Sequence, residues 1–486
     1  MRNLFLDGSS ALLTDLYQLT MAYGYWKSGR ADEWANFQLF FRKLPFQGGY
    51  AVACGIEPAL EWIERFSFDA SDLSYLETLR GADEKPLFET GFLDYLGALE
   101  LELDVDAVRE GALCFAQEPL VRVQGPVLQC QLLETALLNL INFQTLIATK
   151  AARICWAARG EPVLEFGARR AQGLDGALAA SRAAFVGGCS ATSNVLAGKC
   201  FGIPVRGTHA HSWVMLFDSE LDAFDSYAKA LPNNVVFLVD TYDTLEGVRH
   251  AVEVGRKLRA SGHDLLGVRL DSGDLAYLSI EARKILDAGG FPDAKIYASN
   301  DLDENLIASL KEQGAQIGVW GVGTRLVTGH DQPALGGVYK LTAVRDESGK
   351  WQPRVKLSEQ SVKVSTPGVL GVKRFSESNG QFVADAIYEE GFEPDGDYRI
   401  VDPLDPIRRR KIERDLAARE LLEPAFRRGE RTREVETLHQ ARDRARKELE
   451  HLNAASKRFV NPHSYPVGLE AGLHERKMAL IAKLRG

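Results

Sequence analysis

Two histidines stand two positions apart in VRGTHAHSWV, at His209 and His211, just after an apolar run. An imidazole in such a place can bind a metal, attack a phosphorus or carry a proton. Similar settings recur through the middle of the chain. Arg169 and Arg170 follow PVLEF, Asp240 and Asp243 follow NVVFLV, and Arg269, Asp271 and Asp274 follow LLGV. Ser299, Asn300 and Asp301 come after AKIYA, and Gly321, Gly323 and Thr324 lie in WGVGTRL. Arginine forks suit carboxylates and phosphates, glycine turns bring backbone amides close to phosphate oxygens, and aspartate can hold an imidazole tautomer. Together they describe a histidine acting on phosphate, with Asp240 a candidate to orient it. Each has a plainer reading: Arg169-Arg170 as a surface pair, Asp271-Ser-Gly-Asp274 as a helix cap, GVG as an ordinary turn.

A zinc clip is the competing chemistry, because alternate strand positions face one way and could aim both histidines at one ion. A catalytic zinc needs further ligands from other strand ends. The remaining histidines, at 250, 263, 330, 439, 451, 463 and 474, end no expected strand, so a zinc-dependent barrel hydrolase ranks well below the phosphate reading.

Something must hold these groups at one rim. Seven apolar runs, at 162–171, 183–193, 203–212, 234–244, 265–275, 294–304 and 317–326, alternate with helical patterns such as LEGVRHAVEVGRKLRASG and AYLSIEARKILDAGG, each closed by a glycine. Parallel strands need such crossovers, and their ligands gather at the carboxyl ends. The expected architecture is α/β: an irregular TIM-like barrel over 129–345, an N-terminal α/β domain over 1–128, and a C-terminal domain over 346–486 of strands followed by charged helices, mostly helical overall. CQLLETALLNLINFQTLIATKAARICWAARG reads as one long helix with a possible break, and 407–457 as a solvated helical face of alternating charge.

The net charge of −9 over 486 residues opposes a general nucleic-acid or membrane-surface role. Six scattered cysteines fit a reducing cytoplasm. Asp7 and Asp15 interrupt any signal-peptide core, and no stretch is apolar enough to span a bilayer.

The segments LTDLYQLTMAYGYW, EFGARRAQG, GTHAHSWV, VRLDSGDL, SNDLDE, GVGTRLVT with LGGVYKL, and NPHSYPV resemble, in order, those of the nicotinate phosphoribosyltransferase family, over about residues 10 to 480. The resemblance implies a type II phosphoribosyltransferase fold. It also implies a homodimer with shared active sites that joins nicotinate to phosphoribosyl pyrophosphate (PRPP) in NAD salvage, with ATP as co-substrate and Mg²⁺ as cofactor. By the same resemblance His211 is the histidine that ATP phosphorylates, oriented by Asp240, while Asp271 approaches the ribose or Mg²⁺. Thr208 and Arg269 contact nicotinate, Phe166 covers one face of the pyridine, and Tyr17 of the partner subunit covers the other. Arg169, Ser299, Asn300, Gly323 and Thr324 surround the PRPP phosphates, and His209 occupies a variable place in its motif. The nicotinamide-using relatives carry an aspartate where this chain has Ser193; an aspartate would repel a carboxylate substrate, which favours nicotinate.

Overall fold

A computed structural model describes residues 9–392 and 396–485. Asp7, used above against a signal peptide, lies outside them. The chain forms two compact units, one of residues 1–149 with 334–486 and one of 150–333. The division falls inside the long helix Glu134–Ala157, which a break at Leu133 separates from Val127–Leu132. Among the described residues no helix is long and apolar enough to cross a membrane.

Among the described residues the first unit has two large sheets and a two-stranded pair, Ala51–Val52 with Leu113–Cys114. In the larger, Trp34–Phe41 pairs antiparallel with Gly337–Arg345 on one side and with Val121–Pro126 on the other. Its apolar residues join the helix Ile56–Glu64 in one large core. The second sheet contains Leu370–Ser376, Phe382–Glu389, Tyr398–Val401 and Val467–Glu470. The C-terminal region is therefore mixed rather than mostly helical. Of the segment 407–457 read as a helical face, only Leu438–His451 is a long helix. Arg409–Ile412, Ala417–Glu420, Glu423–Arg427 and Glu430–Arg431 are strands. Alternating charge fits an exposed strand as well as a helix; all of Ala417–Glu420 is exposed, and Glu420 sits opposite Lys373 across the ladder. Pro424 and Gly429 break any helical continuation.

Arg374 anchors this unit. It is fully buried and donates to Asp385 (2.6 Å), to Glu448 (3.0 Å) and to the Leu113 carbonyl (3.0 Å). Removing the guanidinium takes the counter-charge from buried Asp385 and leaves buried Glu448 with Arg419 alone. We expect Arg374→Met to cost about 3–5 kcal/mol, measured by urea unfolding followed by far-ultraviolet circular dichroism.

The second unit carries a parallel sheet of six strands, β1 (Val163–Glu165), β2 (Ala191–Thr192), β3 (Val236–Leu238), β4 (Gly267–Leu270), β5 (Lys295–Ala298) and β6 (Val319–Val322). They lie side by side in the order β2-β1-β6-β5-β4-β3, and the ladder leaves β2 and β3 as its outer strands. Helices Thr244–Ala260, Leu275–Ala288 and Glu304–Glu312 supply crossovers, capped by Asp243, Asp274 and Asp303. The glycines past the first two of these, Gly262 and Gly290, take left-handed backbone conformations.

Two expected strands are corrected. Residues 183–186 end the helix Gly173–Val186, so only Ala191–Thr192 of that run is strand. Its Ala-rich start favours the helix, and Gly187-Gly188 stops it. The run 203–212 contributes a single bridge, Val205 to Thr192, before a short helix starts at His211. Pro204 and Gly207 weaken this stretch as a strand.

Candidate functional site

Short strands bury their bodies and expose their carboxyl ends, so the residues just beyond them meet at one rim. Arg269, in β4, is the hub. Its Nε donates to the Ser299 hydroxyl (2.8 Å), Nη1 to Thr208 Oγ1 (3.0 Å) and Nη2 to Asp271 Oδ1 (2.9 Å). Three of its five N–H groups are used, which leaves one on each terminal nitrogen. The guanidinium stands 5.7 Å from the centre of the Phe166 ring.

Asp271 is fixed from several sides. The Ser299 hydroxyl donates to Oδ1, and its own N–H donates to Asp240 Oδ2 (2.9 Å). Burial raises the Asp271 carboxyl, but the Ser299 hydrogen bond and the Arg269 charge outweigh it and hold the group below the usual carboxylate range. Asp274, three residues on, caps the next helix through Tyr277 N–H (3.0 Å). The loop is thus both a helix cap and a rim residue, as its sequence allowed.

The first turn after β1 shapes the adjoining wall. Glu165 is fully buried; it accepts from the Gly167 amide, from Ser181 Oγ (2.8 Å) and from Thr192 Oγ1 (2.6 Å). Phe166 then leaves the strand with its N–H on the Val322 carbonyl (2.8 Å). Its ring lies over Gly321, where an added Cβ would come within 2.8 Å of it. Gly167 is equally constrained, because a Cβ there would lie 2.3 Å from Val327.

The two histidines part company. His211 opens the helix His211–Met215 and is partly exposed; its Nδ1 is 3.2 Å from Thr241 Oγ1, and its Nε2 is 3.8 Å from Asp271 Oδ2. Thr241 and Asp271 thus flank the ring, whereas Asp240 takes the Asp271 amide and the Ser272 hydroxyl (2.6 Å). The assignment of Asp240 as the group that orients His211 is corrected in that respect: the turn after β3 brings Thr241, one residue later, to the ring. His209 is buried, and its Nε2 accepts from the Leu238 N–H (3.2 Å). Burial pushes its pKa down to about 4, and the charges of Arg269 and His211 add to this. A lone pair already engaged by a backbone amide is not offered to a metal, so the two rings do not form a zinc clip. Among the described residues no three His, Cys, Asp or Glu side chains cluster as metal ligands.

Of the other expected residues, Ser299 is buried within the hub, and Thr324 starts a short turn of helix after Gly323. Arg169 and Asn300 are exposed, on the turns that follow β1 and β5. Asn300 and Asp301 both have positive φ, 92° and 31°, a backbone state that β-branched residues avoid and that Asn and Asp accept more readily. Tyr17 belongs to the first unit, on the helix Leu16–Lys27, with nearly half its surface exposed. Three residues were missed, Thr241, Ser272 and Glu165; His209 was singled out, but its bond to the Leu238 amide was not foreseen. Thr241 and Ser272 directly follow the aspartates singled out, and a glutamate ending an apolar run was the available signal for Glu165.

Comparison with known proteins finds relatives over almost the whole chain. Three family profiles match: the nicotinate phosphoribosyltransferase (NAPRTase) N-terminal domain over residues 12–142, the NAPRTase family over 162–363 and the NAPRTase C-terminal domain over 371–477. The nicotinate phosphoribosyltransferase of Bacillus subtilis is 45% identical over 99% of this chain and 97% of its own length. Nicotinate phosphoribosyltransferase 1 of Arabidopsis thaliana is 38% identical over 96% of this chain and 92% of its own. The crystal structure of human nicotinic acid phosphoribosyltransferase superposes with a TM-score of 0.83 at 32% identity, covering 96% of this chain and 99% of that one.

Proposed function

The chain belongs to the nicotinate phosphoribosyltransferase family, and from that premise we propose how the rim of its parallel sheet carries out the reaction. The pyridine nitrogen of nicotinate attacks C1 of PRPP; a C–N bond forms, the C–O bond to pyrophosphate breaks, and nicotinate mononucleotide results for NAD salvage. The observation that carries this reading is the Arg269 hub. A guanidinium held by Thr208, Ser299 and Asp271, with an N–H left on each terminal nitrogen and an aromatic ring beside it, is built for a planar aromatic carboxylate.

Phe166 covers one face of the ring, and Tyr17 of the partner subunit in a homodimer covers the other; the exposed Tyr17 side chain supports that assignment. The Gly323 and Thr324 amides, with Arg169, Ser299 and Asn300, take the phosphates. The glycosidic exchange passes through an oxocarbenium-like carbon, so the site's main work is to orient the ring nitrogen and to neutralise the leaving group. Magnesium fits this site, which is rich in oxygen: Asp240 Oδ1 is buried without a hydrogen-bond partner and Asp271 stands beside it. Held by these two carboxylates and by the substrate diphosphate, Mg²⁺ would offset the charge of the departing pyrophosphate.

ATP phosphorylates His211, the partly exposed imidazole between Thr241 and Asp271. Hydrolysis of that phosphohistidine, with water, releases phosphate and drives the cycle, so nicotinate, PRPP, ATP and water yield the mononucleotide, pyrophosphate, ADP and phosphate. We also assign the six-stranded sheet to an irregular, TIM-like barrel. The test of substrate is direct: with PRPP and MgATP, mononucleotide forms from nicotinate and not from nicotinamide. Conversion of nicotinamide alone would move the chain to the other branch of the superfamily.

The Gly321 contact gives a further expectation. Gly321→Ala displaces the Phe166 ring, so the KM for nicotinate rises about 10-fold while that for PRPP holds, as read by initial rates against each substrate.

A further inference from the structure

The outer strands of the parallel sheet are treated differently. Beside β2 the chain passes as a backbone partner: Thr192 N–H donates to the Pro204 carbonyl (3.0 Å), and Arg206 N–H to the Thr192 carbonyl (3.0 Å). Beside β3 it does not. There the Val239 N–H is taken by the Arg269 carbonyl of β4 (3.2 Å), so the Leu238 N–H, one residue earlier, points to the open side. Its acceptor is a side chain, His209 Nε2, at 3.2 Å and buried. The ring is held there by Tyr227, edge-on at 4.8 Å, and by Phe224 and Phe237 at 6.1 and 6.3 Å.

We infer that His209 is a positioning residue: its imidazole stands in for the missing strand between β2 and β3, and in doing so fixes Thr208 on one side and His211 on the other. This rests on the phosphoribosyl-transfer reading of the rim. A buried strand amide without an acceptor is strongly disfavoured, so the His209–Leu238 bond pins the backbone between the two functional side chains. Thr208 Oγ1 accepts from Arg269 and donates to the His209 carbonyl (3.2 Å). His211 meets Thr241, three residues beyond Leu238 on the same chain segment. Both neighbours are therefore registered against β3 and β4 through the one ring between them. The acceptor role needs an unprotonated Nε2. Burial supplies it, and the charged or titratable groups facing the ring, Arg269, His211 and Tyr227, add no anion at neutral pH. Nδ1 then carries the proton and faces the Ala210 carbonyl at 3.4 Å.

The test compares His209→Leu, which keeps an apolar body and removes the acceptor, with His209→Gln, whose amide oxygen reaches the same backbone N–H. Thermal midpoint, KM and kcat are measured for both, and hydrogen exchange at the Leu238 amide is followed in the wild type and the variants. We expect His209→Leu to raise the KM for nicotinate and to slow phosphate loading of His211, each by about 10- to 100-fold, and to speed Leu238 exchange. His209→Gln should restore most of all three. A folded His209→Leu protein with wild-type KM, kcat and loading rate overturns the inference, even if its midpoint falls. Should His209→Leu not fold, the wild-type protein decides: a Leu238 amide exchanging as fast as an open strand edge also overturns it. Wild-type protein that makes no mononucleotide refutes the functional reading instead, and the exchange experiment still judges the His209 contact.

Discussion

Substituting His211 by asparagine is expected to abolish the proposed acid-labile phosphate on the protein and to lower ATP-supported turnover on the order of 10²-fold, while the chain still folds. His211 is partly exposed, and its contacts are the Thr241 hydroxyl and a distant Asp271 oxygen, so little of the packing depends on it. Asparagine keeps a polar group near Nδ1 and removes the nucleophilic ring. The residual rate should be the uncoupled reaction, insensitive to ATP, because the proposed nicotinate and phosphate contacts lie on other residues. Mass spectrometry at neutral pH reads the phosphate, and product formation with and without ATP reads the coupling. Phosphate retained on the variant would place the modification elsewhere.

Arg269→Ala should produce the second large effect, on binding of the ring substrate. Hydrogen bonds to a charged partner contribute about 1.5–3 kcal/mol, which converts to roughly 10- to 150-fold in affinity. The KM for nicotinate should rise by that factor, and kcat should fall as well, because Asp271 loses its principal counter-charge. Arg269→Lys should recover little. A lysine keeps the charge but cannot reach Thr208, Ser299 and Asp271 together with a carboxylate. An unchanged KM for nicotinate in Arg269→Ala would remove this residue from the substrate site.

These effects were legible in the sequence to different degrees. Arg269, Asp271 and Ser299 end apolar runs, and a strand's carboxyl end in a parallel sheet is where ligand groups collect, so position along the chain predicted proximity in space. Asp274 could be read as a cap because a cap is a local hydrogen bond. The partner of His211 is not local. Whether Asp240 or Thr241 faces the ring depends on how the turn after β3 leaves the sheet, and adjacent residues of an extended segment point opposite ways. His209 was harder still, since its bond to Leu238 replaces a strand that the pattern of apolar residues had already supplied at 203–212. The charged stretch 407–457 misled for a related reason. Alternating Arg and Glu satisfies the exposed face of a helix or of a strand, and only pairing with Leu370–Ser376 and Asp104–Ala107 decides between them.

The proposed coupling of ATP to transfer at this rim is tested most directly in a single turnover. The protein is loaded with MgATP labelled on its terminal phosphate, freed of nucleotide, and mixed with nicotinate, PRPP and Mg²⁺. Label on His211 that leaves as inorganic phosphate in step with nicotinate mononucleotide is the predicted result. Mononucleotide forming while the label stays on the protein, or label discharged with no mononucleotide formed, would contradict it.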